Sequence, residues 1–226
     1  MNERQSRLRR YEAIVVWAWL PIHLIALPLL AGFAYLRGLV DDMTANLAIY
    51  ALGTLVLAVA LHRFLGADFV RLFRRPLTLL LVPAAFFAQR FFELIIAVIV
   101  YMLDLGGNLN NEAVIDLLGS DPIPSVVMAV VLGPFVEECL FRAGIFGQLR
   151  RRSRFLAYLV SMLAFALSHV WQGAISDPTQ LFHALSYLPA GFALAWIYER
   201  SDSIWGSWLL HALSNGVSVL TILWAA

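Results

Sequence analysis

The chain has 226 residues, of which 61% are hydrophobic and only 14% are charged, and its formal net charge is +1 at pH 7. Because soluble domains carry about 25% charged residues, this composition excludes an ordinary soluble protein and indicates an integral membrane protein. Apolar runs of membrane-spanning length recur to the C-terminus and leave no room for a soluble domain. We therefore expect one all-α membrane domain, a polytopic bundle of transmembrane helices.

Hydropathy and its breaks predict about seven transmembrane helices. They cover residues 12–36, 44–64, 76–103, 123–148, 155–172, 179–198 and 204–225. The first follows a basic N-terminal segment and is too long for the core of a signal peptide, so we interpret it as a retained span. The connection over residues 104–122 is the long one, and we expect a short surface helix there.

The arginines fall mainly on one side of this predicted topology. All sixteen basic residues are arginine, which is typical of a high-GC prokaryotic genome. Thirteen of them lie at the N-terminus or in the connections of one side: Arg4, Arg7, Arg9, Arg10, Arg63, Arg71, Arg74, Arg75, Arg150, Arg151, Arg152, Arg154 and Arg200. The other side carries Asp41, Asp42, Asp104, Glu112, Asp116 and Asp121, with only Arg37 among them. The positive-inside rule then predicts a cytoplasmic N-terminus, and the arginine-only composition favours a prokaryotic cytoplasmic membrane.

The stretch GPFVEECLFRAG, residues 133–144, puts three charged side chains into the fourth predicted span. Ionised and unpaired, they would together cost about 8 kcal/mol to insert. Glu138 and Arg142 stand four apart and can pair on one face of the helix. Glu137 lies about 140° round the helix from Arg142, so we predict that Glu138 is structural and that Glu137 is available for chemistry. The alternative is that all three belong to a packing network between helices.

Two later helices carry further polar pairs. FALSH in the fifth predicted span places Phe165 and His169 one turn apart, and HALSN in the seventh places His211 and Asn215 one turn apart. Counted at about 1.5 Å per residue from the helix ends, the depths of Glu137 and of both histidines are compatible with one shared cavity near mid-membrane. A lone histidine more often packs, but three helices with convergent chemistry favour a functional site.

These residues resemble the motifs of a known family. EECLFR is similar to its EExxxR motif, FALSH to FxxxH and HALSN to HxxxN, in the family's order and on three separate helices. The family is the CPBP group of intramembrane proteases, also called Abi, which includes CAAX prenyl proteases and bacteriocin-processing enzymes. The likeness covers residues 122–226, which we predict to be a four-helix catalytic core. Residues 1–121 would be a three-helix scaffold with its loop, in the same membrane domain.

The resemblance implies an intramembrane endopeptidase that hydrolyses a peptide bond of a membrane-associated protein or peptide with a glutamate-activated water and without a covalent acyl-enzyme. We expect no cofactor and no metal ion. It implies that Glu137 is the general base and that His169 assists it. It also implies that His211 and Asn215 form an oxyanion hole. The residues that hold the site together would be Glu138, Arg142 and Phe165. The expected partners are that substrate and the lipid bilayer, with no nucleic acid.

Two other functions stay open on the sequence alone. Two glutamates and two histidines can also ligate zinc, although the chain has no HExxH pair and Arg142 adds positive charge one turn from Glu138. A non-enzymatic membrane protein, such as an immunity or interaction protein or a small transporter, could use the same ionisable residues as a proton path or structural network. Replacing Glu137 by glutamine distinguishes a protease from a binding protein.

Two residues near the motifs are candidate nucleophiles of other enzyme classes. Cys139 lies inside the glutamate motif, with His169 as a conceivable base, and Ser168 adjoins that histidine in sequence. A free cysteine is commonly a small buried residue, and Ser168 points about 100° away from His169 on a helix. We expect neither to act as the nucleophile.

The other three histidines are expected to pack. His183 lies in HALSY, which has Tyr187 where HALSN has asparagine, so we expect it only to pack or to line the cavity edge. His23 and His62 lie near predicted membrane ends and have no partner at helical spacing. None of the three is predicted to be catalytic.

Arg90 and Glu93 form a further charged pair in the third predicted span. They stand three residues apart and can pair within the helix. We expect a self-compensated ion pair, which could also brace Glu138 or Arg142.

Overall fold

The computed structural model describes residues 8–74 and 76–225. Over those ranges every regular element is helical, which confirms the all-α fold class. Ten helices follow in chain order: α1 (Arg10–Leu36), α2 (Asp42–Ala60), α3 (His62–Arg74), α4 (Thr78–Met102), α5 (Leu109–Ser120), α6 (Pro122–Leu149), α7 (Arg154–Ser168), α8 (Trp171–Ser176), α9 (Pro178–Ser201) and α10 (Ile204–Ala225). The surface helix expected in the 104–122 connection is present as α5.

Six of these helices are long and apolar enough to cross a membrane, namely α1, α2, α4, α6, α9 and α10. The chain is therefore an integral membrane protein built as a polytopic helical bundle. Helix α7 has 15 residues, about 22 Å at 1.5 Å per residue, which falls short of a hydrocarbon core of about 30 Å. The prediction of a membrane-spanning helix over residues 155–172 was wrong in its length, because the helix ends at Ser168.

Helix α7 stops early because a side chain replaces a helical backbone bond. The Nδ1 atom of His169 lies 2.8 Å from the carbonyl oxygen of Phe165, the acceptor that a continuing helix would offer to the His169 backbone N–H. That N–H instead donates to the carbonyl of Ala166, and the chain turns at His169 and Val170. Hydropathy could not predict this helix end, because the apolar pattern continues past the turn.

Helix α6 forms the centre of the bundle. Every side chain from Glu138 to Phe146 is buried, and this segment packs against α1, α7, α9 and α10. It is also wound more widely than an α-helix, in π-helical turns over Met128–Leu132 and Glu138–Phe146. Pro134 follows the first of these segments and has no backbone N–H with which to continue an α-helical ladder. Such π-helical turns occur frequently at functional sites.

The helices before and after residue 121 share their packing surfaces. Helices α1, α2 and α3 contribute to one apolar cluster with α6, and α4 contributes to a second cluster with α6, α7, α9 and α10. At Gly144 the contact between α6 and α1 is so close that an added Cβ would lie 2.6 Å from Cγ1 of Val16. The division into a 1–121 scaffold and a 122–226 core remains a prediction, within one packed unit.

Helix α3 was not expected from the hydropathy, which extended the second span to residue 64. It is an amphipathic helix whose fully buried Asp68 accepts a hydrogen bond at Oδ2 from the backbone N–H of Ile204, 2.8 Å away. Asp68 also pairs with Arg71. Since Ile204 is the first residue of α10, α3 caps and positions the helix that carries His211.

Charged residues gather where α6 ends, α7 begins and α9 ends. Arg150 pairs with Asp202 at 3.1 Å, and Arg154 pairs with Glu199 at 2.8 Å. These contacts bring arginines of the predicted cytoplasmic side to one end of the bundle. Arg4, Arg7 and Arg75 of that predicted set lie outside the described residues, and the orientation in the membrane stays a prediction.

Candidate active site

The carboxylate of Glu137 lies between two imidazole rings from two other helices. Its Oε2 atom is 3.8 Å from Nε2 of His169 and 3.8 Å from Nε2 of His211. This oxygen is buried and has no hydrogen-bond partner among the described residues. The three side chains are 13%, 19% and 5% exposed, respectively, so the site is enclosed but reachable. Residues from α6, the end of α7 and α10 thus converge on one carboxylate oxygen.

The protonation pattern of the His169 ring follows from its neighbours. Its Nδ1 atom lies 2.8 Å from the Phe165 carbonyl oxygen, which can only accept, so Nδ1 carries the proton. The Nε2 atom of the neutral ring then offers a lone pair towards Glu137. His169 is therefore arranged to accept a proton or a hydrogen bond at the shared position.

The His211 ring is held by the second glutamate of the motif. Its Nδ1 atom lies 3.0 Å from Oε1 of Glu138. Because Glu138 is paired with Arg142 and acts as an acceptor, Nδ1 of His211 donates this bond. In the neutral ring Nε2 is thus unprotonated, and it becomes a donor towards the site only when the ring is an imidazolium.

Glu138 and Arg142 form a completely buried ion pair, with 3.2 Å between Oε2 and Nε. Arg142 also donates through Nη1 to Oγ of Ser161 at 3.0 Å, and that hydroxyl donates to the Phe141 carbonyl at 3.0 Å. Its guanidinium lies 5.0 Å from the centroid of the Phe165 ring. Breaking a buried pair of this kind by removing one partner typically costs about 3–5 kcal/mol.

Phe165 is the apolar wall of the site. Its ring is 2% exposed and lies 4.6 Å from the ring of His169 and 5.6 Å from the ring of His211, measured between centroids. It belongs to the second apolar cluster together with Phe141 and Leu210. The phenylalanine of the FALSH motif therefore contacts both imidazoles and the arginine.

Asn215 is oriented by a carbonyl of the first π-helical segment. Its Nδ2 atom donates to the Ala129 carbonyl at 2.8 Å. This bond uses one of the two amide hydrogens, so one N–H and the amide oxygen remain for a ligand.

Arg90 contacts the part of α10 that carries Asn215. Its Nη2 donates to the Ser214 carbonyl at 2.7 Å, while its Nη1 pairs with Glu93 at 3.0 Å. The expected self-compensated pair thus reaches α10, and among the described residues it makes no ion pair with Glu138 or Arg142.

The other candidates from the sequence occupy different positions. Cys139 is fully buried in the first apolar cluster, and Oγ of Ser168 donates to the Phe165 carbonyl at 2.7 Å. Within residues 8–74 and 76–225, no group of three or more His, Cys, Asp or Glu side chains has an arrangement that could hold a metal ion.

Two of the histidines that were expected to pack have different surroundings. His62 is exposed and bonds the Val59 carbonyl. His183 is buried, and its Nε2 has no partner among the described residues.

Two tyrosines near the site were not identified from the sequence. An added Cβ at Gly133 would lie 3.6 Å from Cε1 of Tyr50 and 3.8 Å from Oε1 of Glu137, so α2 brings an aromatic ring beside the carboxylate. The ring of buried His23 packs edge-on against Tyr50. Tyr187 stacks on His169, with centroids 4.4 Å apart and ring planes 23° apart. These contacts join distant helices, and helical spacing cannot reveal them.

A bundle of membrane-length helices that surrounds Glu137, His169 and His211 defines a polytopic membrane protein. The comparisons with known proteins agree. Residues 119–217 match the family described as "Type II CAAX prenyl endopeptidase Rce1-like". The protein named "Putative membrane peptidase YdiL" from Bacillus subtilis (strain 168) is 30% identical over 209 residues, which cover 87% of this chain and 82% of that protein.

A shorter match is found in Lactococcus lactis subsp. lactis (strain IL1403). "UPF0177 protein YxdF" is 29% identical over 102 residues, which are 44% of this chain and 51% of that protein. No solved structure is significantly similar to the chain. The chain belongs to the CPBP family, as the three motifs predicted, and is a membrane protease in the general sense.

Proposed function

We propose that this protein is an intramembrane endopeptidase that uses Glu137 to activate a water molecule, without a metal ion or a covalent enzyme intermediate. The observation that carries the proposal is the position of Oε2 of Glu137, 3.8 Å from Nε2 of both His169 and His211. A water molecule at this position can donate one hydrogen bond to the carboxylate and one to an imidazole lone pair. Its oxygen is then directed to a carbonyl carbon by acceptors that the chain holds in place.

The first step forms a tetrahedral intermediate. Glu137 takes a proton from water, the water oxygen bonds the scissile carbonyl carbon, and the carbonyl oxygen becomes an oxyanion. His169 accepts a hydrogen bond from the second water proton. In the next step the C–O double bond forms again and the C–N bond breaks. The proton held by Glu137 passes to the leaving nitrogen, so that a carboxyl group and an amine result.

Asn215 and His211 stabilise the oxyanion in this scheme. The amide of Asn215 has one N–H left after its bond to the Ala129 carbonyl. His211 can donate from Nε2 as an imidazolium, and the Glu138 carboxylate at its Nδ1 stabilises that positive charge. Removing a single preorganised donor of this kind typically lowers kcat by about 10²–10³. The same carboxylate pairs with the buried Arg142 at 3.2 Å.

The substrate class follows from where the site lies. The catalytic side chains come from membrane-length helices and from the early end of α7, inside the bundle. A peptide bond reaches them only from a segment that enters the membrane, so we assign a membrane-associated protein or peptide as substrate. We also assign the enzyme to a prokaryotic cytoplasmic membrane, because all of its basic residues are arginine. We assign its N-terminus to the cytoplasm, because thirteen of those sixteen arginines lie on the corresponding side of the predicted topology.

The decisive experiment compares cells that produce wild-type protein with cells that produce Glu137→Gln at the same level. Labelling of new protein N-termini, followed by membrane proteomics, identifies peptide bonds cut only by the wild type. Glu199→Gln is the matched control, because it removes a carboxylate of α9 that pairs with the exposed Arg154. We expect cleavage in the wild type and in Glu199→Gln and none in Glu137→Gln. Equal sets of N-termini in wild type and Glu137→Gln would refute the proposal.

A further inference from the structure

The ring of His169 is held on one side by an aromatic ring from another helix. Tyr187 of α9 stacks on it almost in parallel, at 4.4 Å between centroids and 23° between planes. His169 itself follows the last residue of α7 and sits in a turn. A side chain at this position has fewer helical neighbours than one in the middle of a span, so its ring needs lateral support to keep Nε2 directed at Glu137.

The bond to the Phe165 carbonyl gives only part of this support. It fixes which nitrogen of His169 carries the proton, but a single bond allows the ring to pivot about it. The Phe165 ring also contacts the imidazole, yet it comes from the same helix and moves with it. Among the aromatic rings of described residues that contact the His169 ring, Tyr187 is the one that comes from a separate helix.

The hydroxyl group of Tyr187 is saturated by asparagines just before and within the first turn of α5. It accepts hydrogen bonds from Nδ2 of Asn108 at 3.1 Å and from Nδ2 of Asn110 at 3.0 Å, and it donates to Oδ1 of Asn111 at 3.1 Å. A phenolic hydroxyl has one hydrogen and two lone pairs, so this arrangement uses its whole capacity. A tyrosine side chain that is fixed at its far end cannot swing away from the imidazole.

The asparagine segment is itself fastened to α9. The side chain of Gln180, which is 3% exposed, accepts from the backbone N–H of Leu109 at 3.0 Å and donates to the Gly107 carbonyl at 3.0 Å. Asn108 also caps α5 by accepting backbone bonds from the next residues. The turn over residues 107–111 is therefore bound to α9 at two points, seven residues apart.

We propose that Tyr187, anchored by Asn108, Asn110 and Asn111, is a positioning residue that orients the His169 imidazole towards Glu137. The effect on catalysis rests on the function proposed above, whereas the effect on the imidazole does not. The asparagine turn would thereby connect the predicted outer surface of the protein to the ring that assists the general base. None of these four residues belongs to the three sequence motifs.

The test uses the full-length protein with isotope-labelled histidine, reconstituted in lipid, and three variants. Tyr187→Leu removes the stacked ring, Tyr187→Phe keeps the ring and removes the hydroxyl, and Asn110→Ala removes one donor to that hydroxyl. Phe192→Leu is the matched control, because it removes an aromatic ring from the same helix at a position that is 51% exposed. Thermal unfolding of every variant shows whether the fold is kept.

Histidine nitrogen and carbon NMR signals report the tautomer and the order of His169 without any substrate. We expect the wild type to show one tautomer with the proton on Nδ1, and Tyr187→Leu to show a tautomer mixture or broadened signals. Tyr187→Phe and Asn110→Ala should lie between them, and Phe192→Leu should match the wild type. If the spectra of Tyr187→Leu, or those of both milder variants where Tyr187→Leu does not fold, equal those of the wild type, the positioning role is refuted.

Kinetics with a substrate identified by the N-terminal labelling provide the second readout. We expect Tyr187→Leu to lower kcat about 10-fold, the equivalent of one lost aromatic stacking contact, with KM within about twofold of wild type because no substrate contact is removed. Tyr187→Phe should lower kcat about threefold on the same basis. A raised KM with unchanged kcat refutes positioning in favour of substrate binding. Changed NMR spectra together with a wild type that cleaves nothing refute the proposed function while the positioning role stands.

Discussion

Oε1 of Glu138 lies 3.0 Å from Nδ1 of His211, and both side chains are buried. The other carboxylate oxygen of Glu138 faces Nε of Arg142 at 3.2 Å. Among the residues that the structure describes, Oε2 of the neighbouring Glu137 has no hydrogen-bond partner, and it faces two imidazole edges. Two consecutive glutamates of one helix therefore have different surroundings. We expect their replacement to affect different properties, stability for Glu138 and activity for Glu137.

Replacing Glu138 should cost stability, while replacing Glu137 should cost only activity. Glu138→Ala leaves the guanidinium of Arg142 buried without its carboxylate, and we expect the free energy of unfolding to fall by about 3–5 kcal/mol. Glu137→Gln keeps the shape of the side chain and removes no ion pair with arginine, so its change should stay within about 0.5 kcal/mol, as for a benign substitution. Thermal and denaturant unfolding of both variants in the same detergent measures this difference. Equal losses would contradict the division of roles.

Ser161 is expected to stabilise the buried guanidinium of Arg142, because its Oγ accepts a hydrogen bond from Nη1. Ser161→Ala removes the acceptor of Nη1 of Arg142 in a fully buried position, and a charged donor left without its acceptor costs about 1–3 kcal/mol. The control is Ser218→Ala, which removes a hydroxyl that bonds the Ser214 carbonyl of its own helix. Denaturant unfolding should show a clear loss for Ser161→Ala and little change for Ser218→Ala. Similar values for the two would mean that Arg142 does not depend on Ser161.

The contacts that stay within one helix were the ones that the sequence could predict. Glu138 and Arg142 pair as their four-residue spacing indicates, because the backbone of one helix sets the distance. Five of the seven predicted spans agree with helices within a few residues, since membrane insertion depends on local hydropathy. The structure places Nε2 of His169 and Nε2 of His211 each 3.8 Å from Oε2 of Glu137, and the depths counted along the predicted helices were compatible with this proximity.

The features that the sequence did not reveal depend on contacts between elements or on single bonds. Helix α7 ends where the His169 ring takes a backbone acceptor, and an apolar run cannot show this. Helix α3 was divided between the second span and a connection, because its role appears only when Asp68 reaches the start of α10. The stacking of Tyr187 on His169 joins two helices through a tertiary contact. None of these contacts has a local signal in the sequence.

Close packing between α1 and α6 predicts a large effect at Gly144. An alanine there would place its Cβ 2.6 Å from Cγ1 of Val16, and overpacking of this kind costs about 1–3 kcal/mol. The double variant Gly144→Ala with Val16→Ala should recover part of that loss, because the smaller side chain removes the clash. Gly32→Ala is the control, since a Cβ there meets no atom within 4 Å. Additive losses in the double variant would contradict direct contact of the two helices.

Metal removal separates the proposed mechanism from that of a zinc protease. The site presents one carboxylate oxygen and two imidazole nitrogens, the donor types that zinc accepts, but Glu137 activates water directly in the mechanism proposed here. We therefore expect the rate of substrate cleavage to be unchanged after exhaustive chelation, and elemental analysis of the active protein to find only substoichiometric metal. A known zinc protease treated in parallel shows that the chelation is effective. Loss of activity that zinc alone restores would make Glu137, His169 and His211 metal ligands and replace the direct general-base mechanism.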